Sequence, residues 1–290
     1  MMRTMTTPAA RLRRLLAQPG LLIMPCCYDA LSARLIEQAG FRLSFMSGFA
    51  VSAAKLGSPD LGLISYGEML DQARDVCGAV TIPVLGDGDT GYGNALNVKR
   101  TVRGYAQVGL AAVMIEDQIA PKRCGHTRGK QVVERDEAIS RVRAAVDARD
   151  EGADILIIAR TDARATHGMD EALERVRAFE EAGADILFLE APESVAEMTA
   201  FCQSVKRPAL CNMLEQGKTP ILPPAELEQL GFKIAAYPLT LLNAAVGAMQ
   251  RALLALAGGK AVEGLLDFEE LRRVVGFEDY YAEERRYSRE

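Results

Sequence analysis

The chain has 290 residues, a net charge of −5 and a mean hydropathy near zero. Acids and bases are mixed along it, so there is no basic stretch that would indicate nucleic acid or an anionic membrane as a partner. No apolar run is expected to span a membrane, and the six cysteines form no C-x-x-C pair, which argues against a zinc site or a disulfide framework and favours the cytoplasm.

The N-terminal region, residues 11–16, is basic and free of acids, as targeting segments are. Pro19 and Gly20 interrupt the apolar run that follows, so an amphipathic first helix is the preferred interpretation. Short apolar runs with little polar alternation then recur along the chain, as expected of parallel strands covered on both faces. The eight predicted strands are 21–25, 43–47, 84–87, 112–117, 155–160, 186–190, 209–212 and 234–237.

Amphipathic stretches separate these strands at 94–108, 136–148, 170–182 and 194–205, with Asp170 and Ser194 as expected N-caps and Gly109 and Gly183 as expected stops. The repeated strand–helix unit predicts a (β/α)₈ TIM-type barrel spanning 1–290 as one domain, with a doubly wound sheet as the alternative. Residues 241–256 would be the closing helix. The apolar and aromatic stretch 265–287 predicts a further helix, and residues from about 240 to 290 are therefore interpreted as a C-terminal oligomerisation extension.

In a barrel of this type the site lies at the carboxyl ends of the strands. Polar residues cluster at those ends in this sequence, and Pro238 follows the last strand. The strand-end residues are Ser47, Gly48, Asp87, Gly88, Asp89, Glu116, Asp117, Arg160, Thr161, Asp162, Glu190, Asn212 and Pro238. A site built by several strands at one end of the barrel is the prediction.

Carboxylates are frequent at and near these strand ends. Asp87 and Asp89 are two residues apart after a strand, where they can converge on one cation, and Asp60 and Glu116 add further acids. Only His126 and His167 are present, so a divalent cation would have to rest on oxygen ligands, which are typical of Mg²⁺ or Mn²⁺. An ordinary Asp- and Gly-rich turn is the alternative interpretation.

The segment after Glu116 places Cys124 beside Lys122 and Arg123 and two residues from His126. Neighbouring cations favour the thiolate, which suits proton transfer or nucleophilic attack near neutral pH. An inert buried cysteine is the alternative. Downstream, Arg160 is interpreted either as a fork for a substrate carboxylate or as the partner of Glu190 or Asp162 in a structural ion pair.

Two further residues are not assigned to the predicted site. His167 is expected in an ordinary loop, and Lys218 is expected to be solvated rather than an anion contact.

Four motifs of this chain resemble those of the isocitrate lyase/phosphoenolpyruvate mutase superfamily. They are residues 58–62 (Ser-Pro-Asp-Leu-Gly), 87–94 (Asp-Gly-Asp-Thr-Gly-Tyr-Gly-Asn), 122–126 (Lys-Arg-Cys-Gly-His) and 159–163 (Ala-Arg-Thr-Asp-Ala). The cysteine loop resembles the lyase branch, closest to 2-methylisocitrate lyase and the 2,3-dimethylmalate lyase and petal-death group. Carboxyphosphonoenolpyruvate mutase also carries this loop and remains an alternative, as does oxaloacetate hydrolysis.

The resemblance covers residues 30–287 and implies a barrel that binds Mg²⁺ and a homodimer or homotetramer with exchanged C-terminal helices. It departs from the family at Gly88, where an alanine is usual and where glycine is expected to loosen the metal loop. It also departs at Phe49, where methylisocitrate lyases have a glycine, which argues against their larger tricarboxylate.

The implied reaction is retro-aldol cleavage of a small di- or tricarboxylate with a 2-hydroxyl group. In that reaction Cys124 would protonate the departing enediolate, with Lys122, Arg123 and His126 tuning the thiol. The metal would rest on Asp89, Asp87, Asp60 and Glu116. The expected substrate contacts are Ser47, Gly48, Phe49, Gly125, Arg160, Glu190, Asn212 and Pro238.

Overall fold

Eight parallel strands form a closed barrel in chain order, which confirms the predicted fold and excludes the doubly wound sheet. The structure is a computed structural model that describes residues 6–123 and 129–288. The strands are β1 (Leu22–Cys27), β2 (Ser44–Met46), β3 (Val84–Asp87), β4 (Ala112–Glu116), β5 (Leu156–Thr161), β6 (Ile186–Leu189), β7 (Ala209–Asn212) and β8 (Phe232–Tyr237). Closure follows from the pairing of β1 with β8, in which Leu22 lies opposite Ile234.

Helices cover the barrel and continue beyond it. They are α1 (Pro8–Leu16), α2 (Ala30–Gln38), α3 (Gly48–Val51), α4 (Tyr66–Ala79), α5 (Ala95–Val108), α6 (Arg135–Asp150), α7 (Arg164–His167), α8 (Met169–Glu181), α9 (Val195–Ser204), α10 (Pro224–Leu230), α11 (Thr240–Ala257), α12 (Phe268–Val275) and α13 (Phe277–Arg285). A π-helical turn, Ser52–Leu56, follows α3. Ser194 caps α9 as predicted, whereas the prediction for Asp170 is wrong, because α8 begins at Met169 and Asp170 lies in its first turn.

Strand side chains alternate between two apolar layers. In β5, Leu156 and Ile158 belong to the cluster inside the barrel, whereas Ile157 and Ala159 pack with the surrounding helices. The first helix belongs to the inner cluster, since its buried residues Ala9, Leu12 and Leu15 pack with inward residues near the strand starts. The predicted amphipathic first helix is therefore confirmed, and it covers the amino-terminal end of the barrel.

The chain divides into two compact units, Met1–Leu241 and Leu242–Glu290. In the second unit the prediction of one helix over 265–287 is wrong, because Gly276 adopts a left-handed conformation with φ 88° and separates α12 from α13. Contrary to the sequence expectation, α11 is long and apolar enough to cross a membrane by length and composition alone. None of its apolar window is buried in the structure.

Candidate active site

The pocket lies at the carboxyl ends of the strands because each site residue continues the inward row of its strand. Glu116 is two residues beyond the inward Met114, and Arg160 is two beyond the inward Ile158. The same step of two residues brings in side chains from other strand ends: Ser47, Asp87, Glu190, Asn212 and Pro238. Other predicted residues also line this pocket, Phe49 from α3 and Asp60, Lys122 and Arg123 from the loops.

Three predicted catalytic or substrate-binding residues, Cys124, Gly125 and His126, lie outside the described residues. The segment that precedes them is held by Gln118, whose Oε1 accepts a hydrogen bond from Arg123 N at 2.9 Å. Gln118 Nε2 donates in return to Arg123 O at 2.8 Å. Sequence reasoning did not single out Gln118, because a glutamine after a strand gives no signal of a loop partner.

An acid cluster, defined as Asp60, Asp87 and Asp89 with Lys122, occupies one part of the site. All four residues are at most 7% exposed. Lys122 Nζ lies 2.8 Å from Asp60 Oδ2 and 2.8 Å from Asp89 Oδ1. Among the described residues the Lys122 ammonium contacts these acids, and its expected effect on the thiol of Cys124 stays a prediction.

Electrostatics within the acid cluster favour a cation. Burial raises the pKa of Asp89 to about 7; Lys122 opposes this shift, while Asp87 and Asp60 add to it. Burial also raises the pKa of Glu116 well above its ordinary value, against the opposing charge of Arg160. Buried acids with raised pKa values bind a proton or a metal cation more readily than exposed ones.

The donor set fits a hydrated divalent cation. Among the described residues, no three His, Cys, Asp or Glu side chains converge as a ready-made metal cage. However, Asp60 Oδ1 and Glu116 Oε1 are buried oxygens that have no hydrogen-bond partner within residues 6–123 and 129–288. Mg²⁺ typically keeps several waters and uses only one or two carboxylates, so open carboxylate oxygens without a full cage are compatible with it.

Backbone geometry brings the acids together. Asp89 has a left-handed conformation with φ 47°, and its amide donates to Asp87 Oδ1 at 3.0 Å. A Cβ on Gly48 would lie 2.5 Å from Asp87 Oδ2, so only glycine lets this carboxylate pack against α3. Gly48 therefore supports Asp87. It was predicted to contact the substrate, but it does not line the pocket.

The expectation that Gly88 loosens the metal loop is wrong. Gly88 N donates to Met114 O at 2.9 Å. A Cβ on Gly88 would lie 2.7 Å from Met114 O and 2.8 Å from Val113 Cγ2. Glycine at this position therefore packs the loop tightly against β4.

An arginine cluster occupies the adjoining part of the site. We define it as Arg160 with the acids Glu116, Asp162 and Glu190 and the amine of Lys130. Arg160 Nε lies 2.8 Å from Asp162 Oδ2 and 3.3 Å from Glu116 Oε2, and its Nη1 lies 3.1 Å from Glu190 Oε2. The predicted structural ion pair is therefore present with both Glu190 and Asp162, and substrate binding by Arg160 stays a prediction.

Other contacts organise this cluster. Asn212 Nδ2 donates to Glu190 Oε2 at 3.1 Å, which links two predicted substrate contacts. The Arg160 guanidinium lies over the Phe188 ring, with its Cζ atom 5.3 Å from the ring centroid. Sequence reasoning missed Lys130, because a lysine that follows a glycine in a loop is usually solvated.

The pocket also has an apolar wall. Phe49, Leu214, Pro238 and Leu239 line it, and each is half-buried. Ser47 lines the pocket as predicted, although its Oγ also accepts a hydrogen bond from Ala50 N at 3.3 Å and so caps α3. The pocket therefore combines an apolar wall with several charged side chains.

Two other sequence expectations concern residues outside this pocket. His167 ends the short helix α7 and is exposed, so the expectation of a loop is wrong. Lys218 is half-exposed, and its Nζ lies 3.7 Å from Glu193 Oε1 at the surface.

The sequence and the fold were compared with known proteins. A family model described as phosphoenolpyruvate phosphomutase matches residues 12–257. The chain is 42% identical to 2,3-dimethylmalate lyase of Eubacterium barkeri over 97% of this chain and 98% of that protein. It is 41% identical to the chloroplastic carboxyvinyl-carboxyphosphonate phosphorylmutase of Arabidopsis thaliana (98% and 87% covered) and 40% identical to 2-methylisocitrate lyase of Bacillus subtilis strain 168 (94% and 91% covered).

Solved structures are also similar to this chain over nearly its whole length. Oxaloacetate acetylhydrolase in complex with 3,3-difluorooxalacetate superposes with a TM-score of 0.92 at 36% identity, covering 95% of each chain. Phosphonopyruvate hydrolase in complex with oxalate and Mg²⁺ superposes with a TM-score of 0.86 at 31% identity, covering 97% of this chain and 99% of that one. The neighbours thus include enzymes that cleave different bonds on one fold.

Proposed function

This chain belongs to the phosphoenolpyruvate mutase/isocitrate lyase superfamily, and we propose that within it the chain is a Mg²⁺-dependent lyase acting on 2,3-dimethylmalate or a similar substituted malate. The predictions of this superfamily and of a lyase are confirmed by its relatives. The observation that carries the choice of substrate is the pocket itself, in which an acid cluster and an arginine cluster face an apolar wall.

Metal binding is assigned to the carboxylates. Asp89, with Asp87, Asp60 and Glu116 directly or through water, would hold Mg²⁺, because buried oxygens without partners are available on Asp60 and Glu116. When bound, Mg²⁺ supplies polarisation of the hydroxy-carboxylate end of the substrate and stabilises negative charge on the 2-oxo acid product.

The protein residues would carry out the proton transfers and hold the departing fragment. The 2-hydroxyl proton leaves to a base, the C2–C3 bond breaks, and its electron pair passes to the second fragment as an enediolate. Cys124 would return a proton to C3 of that fragment, while Arg160, Glu190 and Asn212 orient its carboxylate. The products of 2,3-dimethylmalate are then pyruvate and propanoate.

Substrate size is set by the apolar wall. Phe49 and Leu214 offer no hydrogen-bond donor to a third carboxylate, so the wall suits the methyl groups of dimethylmalate better than the extra carboxylate of methylisocitrate. Such a pocket discriminates by about 1–3 kcal/mol per methylene. Substitution of Phe49 by Gly should therefore shift the preference toward 2-methylisocitrate.

Product analysis by NMR tests the proposal. The protein is incubated with Mg²⁺ and, separately, with 2,3-dimethylmalate, 2-methylisocitrate, oxaloacetate and carboxyphosphonoenolpyruvate. We expect pyruvate and propanoate from dimethylmalate at the highest rate. If oxaloacetate alone is consumed, giving acetate and oxalate, the chain is a hydrolase, which the high TM-score with oxaloacetate acetylhydrolase makes the second candidate. Rearrangement of the phosphorus substrate alone would make it a mutase.

The role of Cys124 has its own prediction. Cys124→Ser should lower kcat by about 10²-fold or more, because a hydroxyl is a far weaker acid than a cation-flanked thiol. Cys77→Ser is the matched control, since Cys77 is a half-buried free cysteine of α4 that does not line the pocket. Near-normal turnover of Cys124→Ser would contradict the assignment.

Assembly into a homodimer or homotetramer is proposed from the second unit. Large apolar side chains are exposed there, including Leu253 (65%), Leu254 (75%) and Phe268 (72%). We expect Leu254→Glu to lower the mass measured by light scattering. Leu96→Glu is the control, because Leu96 of α5 in the barrel unit is equally exposed at 74%. A cytoplasmic location stays a prediction.

A further inference from the structure

A fully buried carboxylate lies behind Arg160 and outside the pocket lining. The Asp162 side chain is 0% exposed, and its partner Lys130 is 3% exposed. Arg160 donates to both of its oxygens, from Nε to Oδ2 at 2.8 Å and from Nη2 to Oδ1 at 3.1 Å. Lys130 Nζ donates to Oδ1 at 2.6 Å.

Contacts through Asp117 hold Asp162 in place. Its amide donates to Asp117 Oδ1 at 2.9 Å, and Asp117 Oδ2 accepts from Thr161 Oγ1 at 2.6 Å. Asp117 also lies 3.1 Å from Arg175 Nη1, which ties it to α8. Burial opposes the charge of Asp162, but Arg160 and Lys130 together hold its pKa well below the ordinary value. The carboxylate is therefore charged and immobile.

The contacts divide the Arg160 guanidinium into two sides. Asp162 engages the Nε–Nη2 edge at 2.8 and 3.1 Å, and Glu116 Oε2 is farther from Nε, at 3.3 Å. Nη1 lies 3.1 Å from Glu190 Oε2, and both Glu116 and Glu190 line the pocket. A bidentate pair of this kind fixes both the position and the plane of the guanidinium. A carboxylate in the pocket therefore meets Arg160 from the Nη1 side.

We propose that Asp162, backed by Lys130, is the positioning residue for Arg160. It sets the guanidinium plane in the pocket without touching the substrate. Lys130 offsets the part of the Asp162 charge that Arg160, which also contacts Glu116 and Glu190, leaves uncompensated. The kinetic part of this inference rests on the proposed lyase function, whereas its structural part does not.

Three variants separate positioning from charge balance. Asp162→Asn and Lys130→Met each leave one partner of a buried ion pair uncompensated, so both should lower Tm. The double variant removes both charges and should recover most of that loss. If Asp162 positions Arg160, however, kcat/KM should stay about 10²-fold down in the double variant, because displacement of about 1 Å has this effect. Lys130→Met alone should lose less activity, since Asp162 still holds Arg160.

Asp185→Asn is the matched control. Asp185 Oδ2 lies 2.8 Å from Arg149 Nη1 and accepts from Ile157 N at 2.9 Å, away from the pocket. This variant should lower Tm without changing kcat/KM for the surviving folded protein. A double variant of Asp162 and Lys130 that recovers both Tm and kcat/KM would overturn the proposal.

Crystal structures of the wild type, of Asp162→Asn and of Lys130→Met show the position of the Arg160 guanidinium without any substrate. We expect the Arg160 guanidinium to rotate or shift in Asp162→Asn and to keep its place in Lys130→Met. An unmoved Arg160 in Asp162→Asn overturns the inference even if no substituted malate is cleaved. A wild type that cleaves none of these substrates while Arg160 shifts in the variant contradicts only the proposed function.

Discussion

The acid cluster and the arginine cluster adjoin in one site and are both deeply buried, yet Asp89 of the first and Asp162 of the second behave in opposite ways. Burial raises the pKa of Asp89 to about 7, whereas the pKa of Asp162 is held well below its ordinary value. Lys122 is shared between Asp60 and Asp89, while Asp162 contacts both Arg160 and Lys130. The number of cations that contact each acid, rather than burial, therefore separates Asp89, which is proposed to bind a metal, from Asp162, whose charge is already compensated.

The largest expected effect comes from the acid cluster. Asp89→Asn removes the carboxylate with the clearest affinity for a cation, so Mn²⁺ affinity measured by electron paramagnetic resonance should fall by at least about 10²-fold, with turnover falling alongside. Asp162→Asn should leave Mn²⁺ affinity unchanged. Equal losses in the two variants would mean that the clusters are not functionally distinct.

A smaller effect is expected from the backbone behind Asp87. Gly48→Ala places a methyl group 2.5 Å from Asp87 Oδ2, so the carboxylate or α3 has to move. We expect the free energy of unfolding to fall by about 1–3 kcal/mol, as for other overpacked sites, and Mn²⁺ affinity to fall with it. Gly78→Ala is the control, since no atom lies within 4 Å of its added Cβ. Unchanged Mn²⁺ affinity in Gly48→Ala would contradict the expectation that Gly48 positions Asp87 for the metal.

The smallest expected effect concerns the ion pairs that support the arginine cluster through Asp117. Glu171 accepts a hydrogen bond from Arg135 Nε at 3.1 Å and another from Arg175 Nε at 2.8 Å. The Arg135 contact is the main cause that lowers the pKa of Glu171 to about 2; burial opposes it and Arg175 adds to it. A lowered pKa stabilises the fold above the ordinary value near 4.5, and this stabilisation is lost as pH falls toward 2.

Urea unfolding at pH 5 and pH 3 measures this contribution. The stability difference between wild type and Glu171→Gln should be about 1 kcal/mol smaller at pH 3 than at pH 5, allowing for screening of a partly exposed pair. Glu174→Gln, which removes a surface partner of Arg177 on the same helix, is measured beside it as the control for loss of an exposed ion pair. A difference for Glu171→Gln that does not vary with pH would contradict the assignment.

The barrel could be predicted from the sequence because its signals are local. Apolar runs located each strand within a few residues, Ser194 marked the start of α9, and Gly109 marked the end of α5. The rule that the site of a barrel lies at the carboxyl ends of its strands then placed Glu116 and Arg160 in the pocket. The break at Gly276 was missed, because the apolar and aromatic pattern continues on both sides of it.

The partners of the buried charges could not be predicted. Lys122 and Asp60 are 62 positions apart, and Lys130 and Asp162 are 32 apart. Nothing in the local pattern shows which acid a lysine will meet once the strand ends converge. Such pairings depend on the closed barrel, and so the residues that support Arg160 emerged only from the structure.

Lys122 contacts the same carboxylates that are proposed to hold the metal. Its ammonium lies 2.8 Å from both Asp60 and Asp89, so it offsets part of the repulsion between these two acids. A divalent cation bound there would compete with the ammonium for the carboxylate oxygens. The occupancy of the proposed metal site should therefore follow the free Mg²⁺ concentration, with Lys122 as the competing cation.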